Sequence, residues 1–389
     1  MRYVDYHNAD RPFFTDDHLI FRETLQKFLE KDAVPNYEKW EEEQSIPRSF
    51  WRKMGEYGFL CSYVEEKYGG INGDFGFSIV LHEELARVGA GLFGIGTHCN
   101  VIVPYIHKIA SEQQKSEYLP KCVSGEIITA IAMTEPGAGS DLASIKTTAV
   151  RDGDDYIING QKTFISNGIY ADLIIVACKT DTEVRPGHKG ISLFFVESAT
   201  EGFSRGRKLK KIGIHSQDTA EMYFDNVRVP AKNMLGEEGK GFYYLMEKLQ
   251  QERLLCSVGA QVAAEDMLKL TIDYVKEREV FGKPVSKFQN TQFKIAEMAT
   301  QIQIGRQYLD NLIIKHIQEQ DIVTEVSMGK WWITDMAKRV ASECIQLHGG
   351  YGYMEEYKIA RRYRDIPVFS IFAGTNEIMK VIIAKNLGL

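Results

Sequence analysis

The chain has 389 residues, 44% of them hydrophobic and 26% charged, with a formal net charge of −6. That length exceeds one ordinary core and calls for two or three packed units. The acidic excess leaves no basic footprint for nucleic acid, and no apolar run reaches the roughly 20 residues that span a bilayer.

The opening stretch, residues 1–14, is polar and aromatic. It has neither the charged-then-apolar order of a secretory signal nor the Arg- and Ser-rich texture of a mitochondrial transit peptide. The expected location is the bacterial cytoplasm, or the mitochondrial matrix for a processed form. Residues 1–126 read as helices. Asp16–Lys31 carries apolar residues at mixed 3/4 spacing behind Thr15, a good N-cap. Phe77–Val88 and Val101–Ile109 repeat the pattern, punctuated by Pro35, Pro47, Gly69–Gly70 and Gly89–Gly91.

From residue 127 to 239 the texture changes. Short apolar runs, Tyr156–Ile158, Leu173–Cys178, Ile191–Val196 and Glu221–Phe224, are separated by turn signals such as Asp152-Gly153 and Asn159-Gly160. This predicts an antiparallel β domain, a compact barrel or sandwich. From residue 240 to 389 the chain is helical again. Gly241–Arg278, Phe288–Gln318 and Ser327–Leu347 are long periodic stretches, and a last helix starts near Thr375. The six cysteines lie far apart with no C-x-x-C, so reduced interior thiols are expected, and no metal.

Four motifs carry possible chemistry. Met133–Asp141 (MTEPGAGSD) is small and hydroxyl-rich, suited to close backbone approach to a planar polar ligand, or simply a Gly-rich loop. It lacks the third glycine of a dinucleotide fingerprint. In Lys162–Gly168, Phe164 and Ser166 fall on one strand face, which can stack a ring and donate to it, or can be half-buried packing. Gln346–Tyr353 holds three glycines in four positions, more than a helix C-cap needs and suited to a phosphate or adenine. Before the last helix, Phe372–Glu377 offers Thr375 as N-cap and a helix N-terminus as an anion site.

Together these motifs resemble the acyl-CoA dehydrogenase family over roughly Asp17 to Leu389. MTEPGAGSD matches its first signature, and Gln346-x-x-Gly349-Gly350-x-Gly352-Tyr353 with Glu356, Arg361 and Asp365 its second. GFYYLMEKLQQERLL, HGGYGYMEEY and GTNEIMK look especially like the long-chain members, and the chain as a whole resembles the long-chain and isovaleryl types. The resemblance implies a multidomain α+β fold: a helical domain at 1–126, an antiparallel β-barrel at 127–239 and a four-helix bundle at 240–389. It also implies FAD bound across a dimer interface. Thr134 then meets the flavin's pyrimidine edge within Ile131–Ser140, a stretch that includes Met133 and Gly139. Phe164 packs on the ring, with Ile165 beside it, and Ser166 reaches toward N5. A neighbouring subunit supplies Arg278 to the pyrophosphate and Phe281, Phe288 and Gln289 to the adenosine. Gln346, Gly349 and Gly350 wrap the pyrophosphate, and Thr375, Asn376 and Glu377 contact the nucleotide. Ser140, Gln250, Arg253, Phe372, Ala373 and Gly374 face the acyl-CoA. Electron-transferring flavoprotein as acceptor and a dimer-of-dimers homotetramer are implied as well.

One position departs from the pattern. Many members carry the catalytic glutamate directly before Gly-Thr, where this chain has Ala373, which has no titratable group. Isovaleryl and long-chain members place the base on a middle helix before an arginine, and here Glu252 precedes Arg253. Phe242, Leu245, Leu249, Cys256 and Gly259 fall on the same helical face as Glu252, so the carboxyl sits on an apolar stripe. A structural Glu252–Arg pair is the plain alternative. At the level of function the rivals are a non-catalytic acyl-CoA-binding or scaffold relative, suggested by Ala373, and an acyl-CoA oxidase. An acyl-carrier-protein thioester fits Arg253 as well as CoA does.

Overall fold

The computed structural model describes residues 11–89 and 92–389. The reading of residues 1–10, and of Gly91 as punctuation, lies outside the described residues. The helical start comprises α1 (Asp16–Asp32), α2 (Tyr37–Glu43), α3 (Arg48–Glu56), α4 (Phe75–Val88), α5 (Phe93–Thr97), α6 (Val103–Ile109) and α7 (Glu112–Val123). A π-helical turn, His98–Ile102, joins α5 to α6. Caps set several starts: the Thr15 N–H donates to His18 Nδ1 (2.9 Å) ahead of α1, and Asp74 accepts from the Gly76 N–H (2.7 Å) at α4.

The middle of the chain is one eight-stranded sheet. Its strands are β1 (Thr129–Ala132), β2 (Thr148–Asp152), β3 (Asp155–Ser166), β4 (Leu173–Lys179), β5 (Ile191–Glu197), β6 (Phe203–Lys208), β7 (Thr219–Pro230) and β8 (Met234–Leu235). The spatial order is β6-β7-β3-β2-β4-β5-β8, with β1 beside β4. Antiparallel pairing holds for β2–β3, β3–β7, β4–β5, β5–β8 and β6–β7. The expectation of a wholly antiparallel sheet needs one correction, because β1 runs parallel to β4 and β2 touches β4 in parallel. β1 enters from the helical domain, and the β2–β3 excursion is long enough to return the chain in the same direction.

The two faces of β4 explain its unbroken apolar run. Leu173, Ile175 and Ala177 pack with the N-terminal helices, and Ile174, Val176 and Cys178 fill the interior of the sheet. Asn159-Gly160, expected as a turn, lies inside β3 at a bulge. Gly160 sits at φ 153°, and a Cβ there would meet Thr147 Oγ1 at 2.4 Å, so the glycine serves close approach and not chain reversal.

The last third holds α8 (Gly241–Glu277), a hairpin of β9 (Glu279–Val280) and β10 (Lys283–Pro284), α9 (Gln289–Ile317), α10 (Val323–His348), α11 (Lys358–Asp365) and α12 (Asn376–Asn386). α8, α9 and α10 are the long helices of the expected bundle, with a shared core that includes Leu254, Val258, Val262, Ile302, Leu309 and Ile333, and the shorter α12 packs on α10. Ile79 of α4 joins that core, so the bundle and the N-terminal helices are packed together. Among the described residues no helix is long and apolar enough to cross a membrane.

Candidate active site

Of the residues predicted to share the Glu252 face of α8, Leu245, Leu249, Cys256 and Gly259 are buried and Phe242 is half-buried; from Glu252 to Glu265 the helix is buried all round. The Glu252 side chain is only 8% exposed. Burial raises its proton affinity to about 7, opposed in part by the Tyr105 hydroxyl and by the nearby charges of Arg253 and Lys248. Tyr105 on α6 donates to Glu252 Oε1 at 3.0 Å. This partner had no signal in sequence: a tyrosine on an apolar helix face, 147 residues away, reads as core. The π-helical turn just before α6 is the kind of irregularity that marks functional segments.

Next to Glu252, Arg253 Nε donates to the Ala373 carbonyl at 3.3 Å. The loop it touches, Phe372 to Thr375, is held against α8 and α10. Lys330 on α10 donates to the Gly374 carbonyl (2.7 Å) and to Asn376 Oδ1 (3.1 Å). Thr375 caps α12 by accepting from the Ile378 N–H at 3.4 Å. Phe372 stacks on Phe93 with centroids 5.2 Å apart. Two side chains expected at the ligands are committed elsewhere. Asn376 is buried and bonds Trp331 O, Thr334, Asp335 and Lys330, so only its backbone remains for a nucleotide. Gln250 spends its amide on His316, Gln320 O and the Ile322 N–H, the turn between α9 and α10.

The first signature loop is pinned to β3 by a buried ion pair that sequence reading did not single out. Lys162 Nζ donates to Glu135 Oε1 (2.9 Å) and to Met133 O (3.0 Å), while Glu135 also accepts from the N–H groups of Lys146 and Thr147. The Thr134 hydroxyl donates to the Thr163 carbonyl. Gly137 and Gly139 border open space, and Ser140 is exposed, while Ile131 and Met133 are half-buried. Phe164 is 69% exposed at φ 59°, within a second bulge of β3, and Ser166 follows on the same side. Ile165 alternates to the other face, where its side chain is part of the sheet core, so only its backbone borders the loop.

A second cleft of about 530 Å³ is lined by Tyr274, Arg278, Val285, Gln346, Gly349, Gly350 and Tyr351. Added Cβ atoms on Gly349 and Gly350 would enter open space. The Arg278 guanidinium lies 5.6 Å from the Tyr351 ring centroid. At the hairpin beyond, Phe281 is 96% exposed, 6.5 Å from the Phe288 ring, and exposed Gln289 opens α9. Arg278 and Gln346–Gly350, both expected at the pyrophosphate, share one cleft of one chain. None of the residues from the first loop or β3 lines it.

The cysteines are all free and buried, yet distance in sequence does not carry into space: Cys61, His98 and Cys99 place their ligand atoms within 4.8 Å of one another. Both His98 nitrogens are engaged, Nδ1 with Thr129 and Nε2 with Cys122 O. Burial pushes the Cys61 thiol well up.

An α–β–α chain with a buried carboxyl, an exposed aromatic on a strand and a separate cleft holding Arg278 fits a flavoprotein oxidoreductase. The chain matches three family models: the acyl-CoA dehydrogenase N-terminal domain over residues 15–126, the middle domain over 130–227 and the C-terminal domain over 239–388. It is 45% identical to the long-chain specific acyl-CoA dehydrogenase of Sus scrofa over 97% of this chain and 88% of the relative. It is 37% identical to the isovaleryl-CoA dehydrogenase of Solanum tuberosum, covering 96% of this chain and 91% of that one. Among solved structures, an acyl-CoA dehydrogenase from Geobacillus kaustophilus superposes with a TM-score of 0.96 at 64% identity, over 97% of this chain and 99% of the other. This chain belongs to the acyl-CoA dehydrogenase family, whose members are FAD-dependent enzymes.

Proposed function

We propose that this protein oxidises the Cα–Cβ bond of a long-chain or branched acyl-CoA to a trans-2-enoyl-CoA, with Glu252 as the base that takes the α-proton. The observation that carries this is the state of Glu252: a buried carboxyl with proton affinity near 7, held by Tyr105, beside a loop whose Ala373 has nothing to titrate. A carboxyl of ordinary affinity is a weak base, and burial is what brings this one into range. The Ala373 backbone N–H polarises the thioester oxygen, so the alanine side chain costs the loop its acid but not its donor. Arg253, with Ser140, Phe372 and Gly374, borders the acyl-CoA.

Bound FAD supplies the two-electron acceptor for the β-hydrogen, which leaves as hydride. The residues present fit it. Thr134, Gly139, Phe164 and Ser166 form an open polar shelf with one exposed ring, and Arg278 with Gly349–Gly350 forms a basic cleft with room for a pyrophosphate. We read the two sets as contributed by different chains, with the cofactor between them. The Arg278 side then comes from the neighbour, with Phe281, Phe288, Gln289 and Gln346, and Thr375 and Glu377 meet the nucleotide through the start of α12. Exposed Phe293, Ile304 and Val381 on α9 and α12 support assembly of dimers into a tetramer. Electrons pass to an electron-transferring flavoprotein.

Anaerobic addition of acyl-CoA tests the reading. The flavin of the wild type bleaches, fastest with long or branched chains, and Glu252→Gln keeps yellow FAD but reduces it roughly 10²- to 10⁴-fold more slowly. Equal reduction by the variant, or best turnover of short straight chains, would overturn the base or the substrate class respectively.

A further inference from the structure

Lys330 has no surface exposure, and none of its partners among the described residues is a carboxylate within ion-pair reach. A buried ammonium without a counter-ion is costly, and a methionine would fill the same volume without that cost. The charge is spent on two oxygens, Gly374 O and Asn376 Oδ1, on either side of Thr375. Those oxygens belong to a strained segment. Ala373 stands at φ 54° and Gly374 at φ 87°, both left-handed, which is natural for glycine but strained for an alanine. Left free, Ala373 would return to negative φ, and that turn of roughly 120° about its N–Cα bond would swing its N–H out of line.

Three side chains prevent this. Arg253 holds Ala373 O, Lys330 holds Gly374 O, and Asn376, fixed by Thr334, Asp335 and Lys330, anchors the start of α12. Peptide planarity then turns the Gly374 and Thr375 N–H groups to the side opposite their clamped carbonyls. Among the described residues, no protein acceptor meets the N–H of Ala373, Gly374 or Thr375.

We propose that Lys330 is a positioning residue for the dehydrogenation: its ammonium clamps Gly374 O and keeps Ala373 left-handed, so that the Ala373 N–H faces the thioester oxygen. The groups that share the surroundings of Lys330 are Arg253 and Cys256 on α8, Asp335 on α10 and Glu377 on α12.

The inference rests on the acyl-CoA reading above, and the experiment separates the two. Holoenzyme of wild type and Lys330→Met is mixed anaerobically with saturating acyl-CoA, and the carbonyl stretch of bound, ¹³C-labelled enoyl-CoA is recorded by difference infrared spectroscopy. Lys330→Met is expected to keep its FAD and a KM within about three-fold of wild type, while flavin reduction falls roughly 10- to 100-fold. The carbonyl stretch moves up toward that of the free thioester, a readout that mere loosening of α10 would not shift. Should Lys330→Met fail to fold, Lys330→Gln, with a donor but no charge, carries the same comparison. Reduction near the wild-type rate, or an unshifted carbonyl stretch, overturns the clamp. A wild type that is not reduced by any acyl-CoA instead rejects the underlying function.

Discussion

Replacing Glu252 by Gln should stabilise the protein at alkaline pH while disabling it. Gln keeps the shape, cannot ionise, and still accepts from the Tyr105 hydroxyl. In the wild type the carboxyl holds its proton to about 7 instead of the usual 4.5. Below 4.5 it is protonated whether the chain is folded or unfolded, and the two proteins are equally affected. Between 4.5 and 7 the folded chain keeps a proton that the unfolded chain has released, so wild-type stability falls as pH rises. Above 7 the full penalty is present. A gap of about 2.5 in pKa at 1.36 kcal/mol each gives ~3 kcal/mol, an order-of-magnitude figure that applies because the group is nearly fully buried. Thermal unfolding of wild type and Glu252→Gln, both as holoenzyme, is measured near pH 5 and near pH 9. Other titrating groups cancel in the comparison. The melting-temperature advantage of the variant should be small at the acid end and large at the alkaline end. An advantage that does not change with pH, or a wild type that gains on the variant as pH rises, would refute the buried, raised carboxyl on which the base assignment stands.

Tyr105→Phe removes the donor that favours the ionised carboxyl. The pH midpoint of anaerobic flavin reduction should therefore move alkaline, with the rate lost at neutral pH and recovered near pH 9; an unmoved midpoint would mean that Tyr105 is packing only. Arg278→Ala should leave the fold intact and weaken FAD retention roughly 10- to 100-fold, read as flavin absorbance per chain after gel filtration, because a charge-assisted contact to the pyrophosphate is lost. Lys162→Met strands the buried Glu135 carboxylate and should cost about 3 kcal/mol, seen as a lowered melting temperature together with FAD loss from the first loop. Unchanged melting would show that Glu135 is satisfied by the Lys146 and Thr147 N–H groups alone.

Periodicity carried most of the fold. The helix expected at Gly241–Arg278 ends one residue earlier, at Glu277, and that expected at Phe288–Gln318 spans Gln289–Ile317, because 3.6-residue spacing is a local signal. Turn chemistry was less reliable. Asn159-Gly160 is a strong hairpin signal, yet Gly160 is required by contact with Thr147, just ahead of the neighbouring strand β2, which no local pattern reveals. The same divide runs through the site. Glu252 was legible because a lone carboxylate interrupts an apolar stripe. Tyr105 and Lys330 were not, since each acts through a partner more than 40 residues away. Asn376 and Gln250 were legible as polar residues in the right segments, but which way each amide turns is decided by packing among helices and turns.

The proposed base sits on α8, a helix of 37 residues in the middle of the bundle, and not on the loop proposed to meet the thioester. A helix restrains a side chain to a few rotamers and holds it in the dry interior, so the raised proton affinity of Glu252 does not depend on how the loop is placed. The loop then keeps a simpler task, to present a backbone donor, and it can be clamped by its carbonyls without constraining the base. Arg253 ties the two parts together. It adjoins Glu252 in sequence, tempers that carboxyl's affinity through its charge, and holds Ala373 O. Base and donor are thus referenced to the same two residues of one rigid helix, which keeps proton removal and carbonyl polarisation in register although their groups are 121 positions apart in the chain.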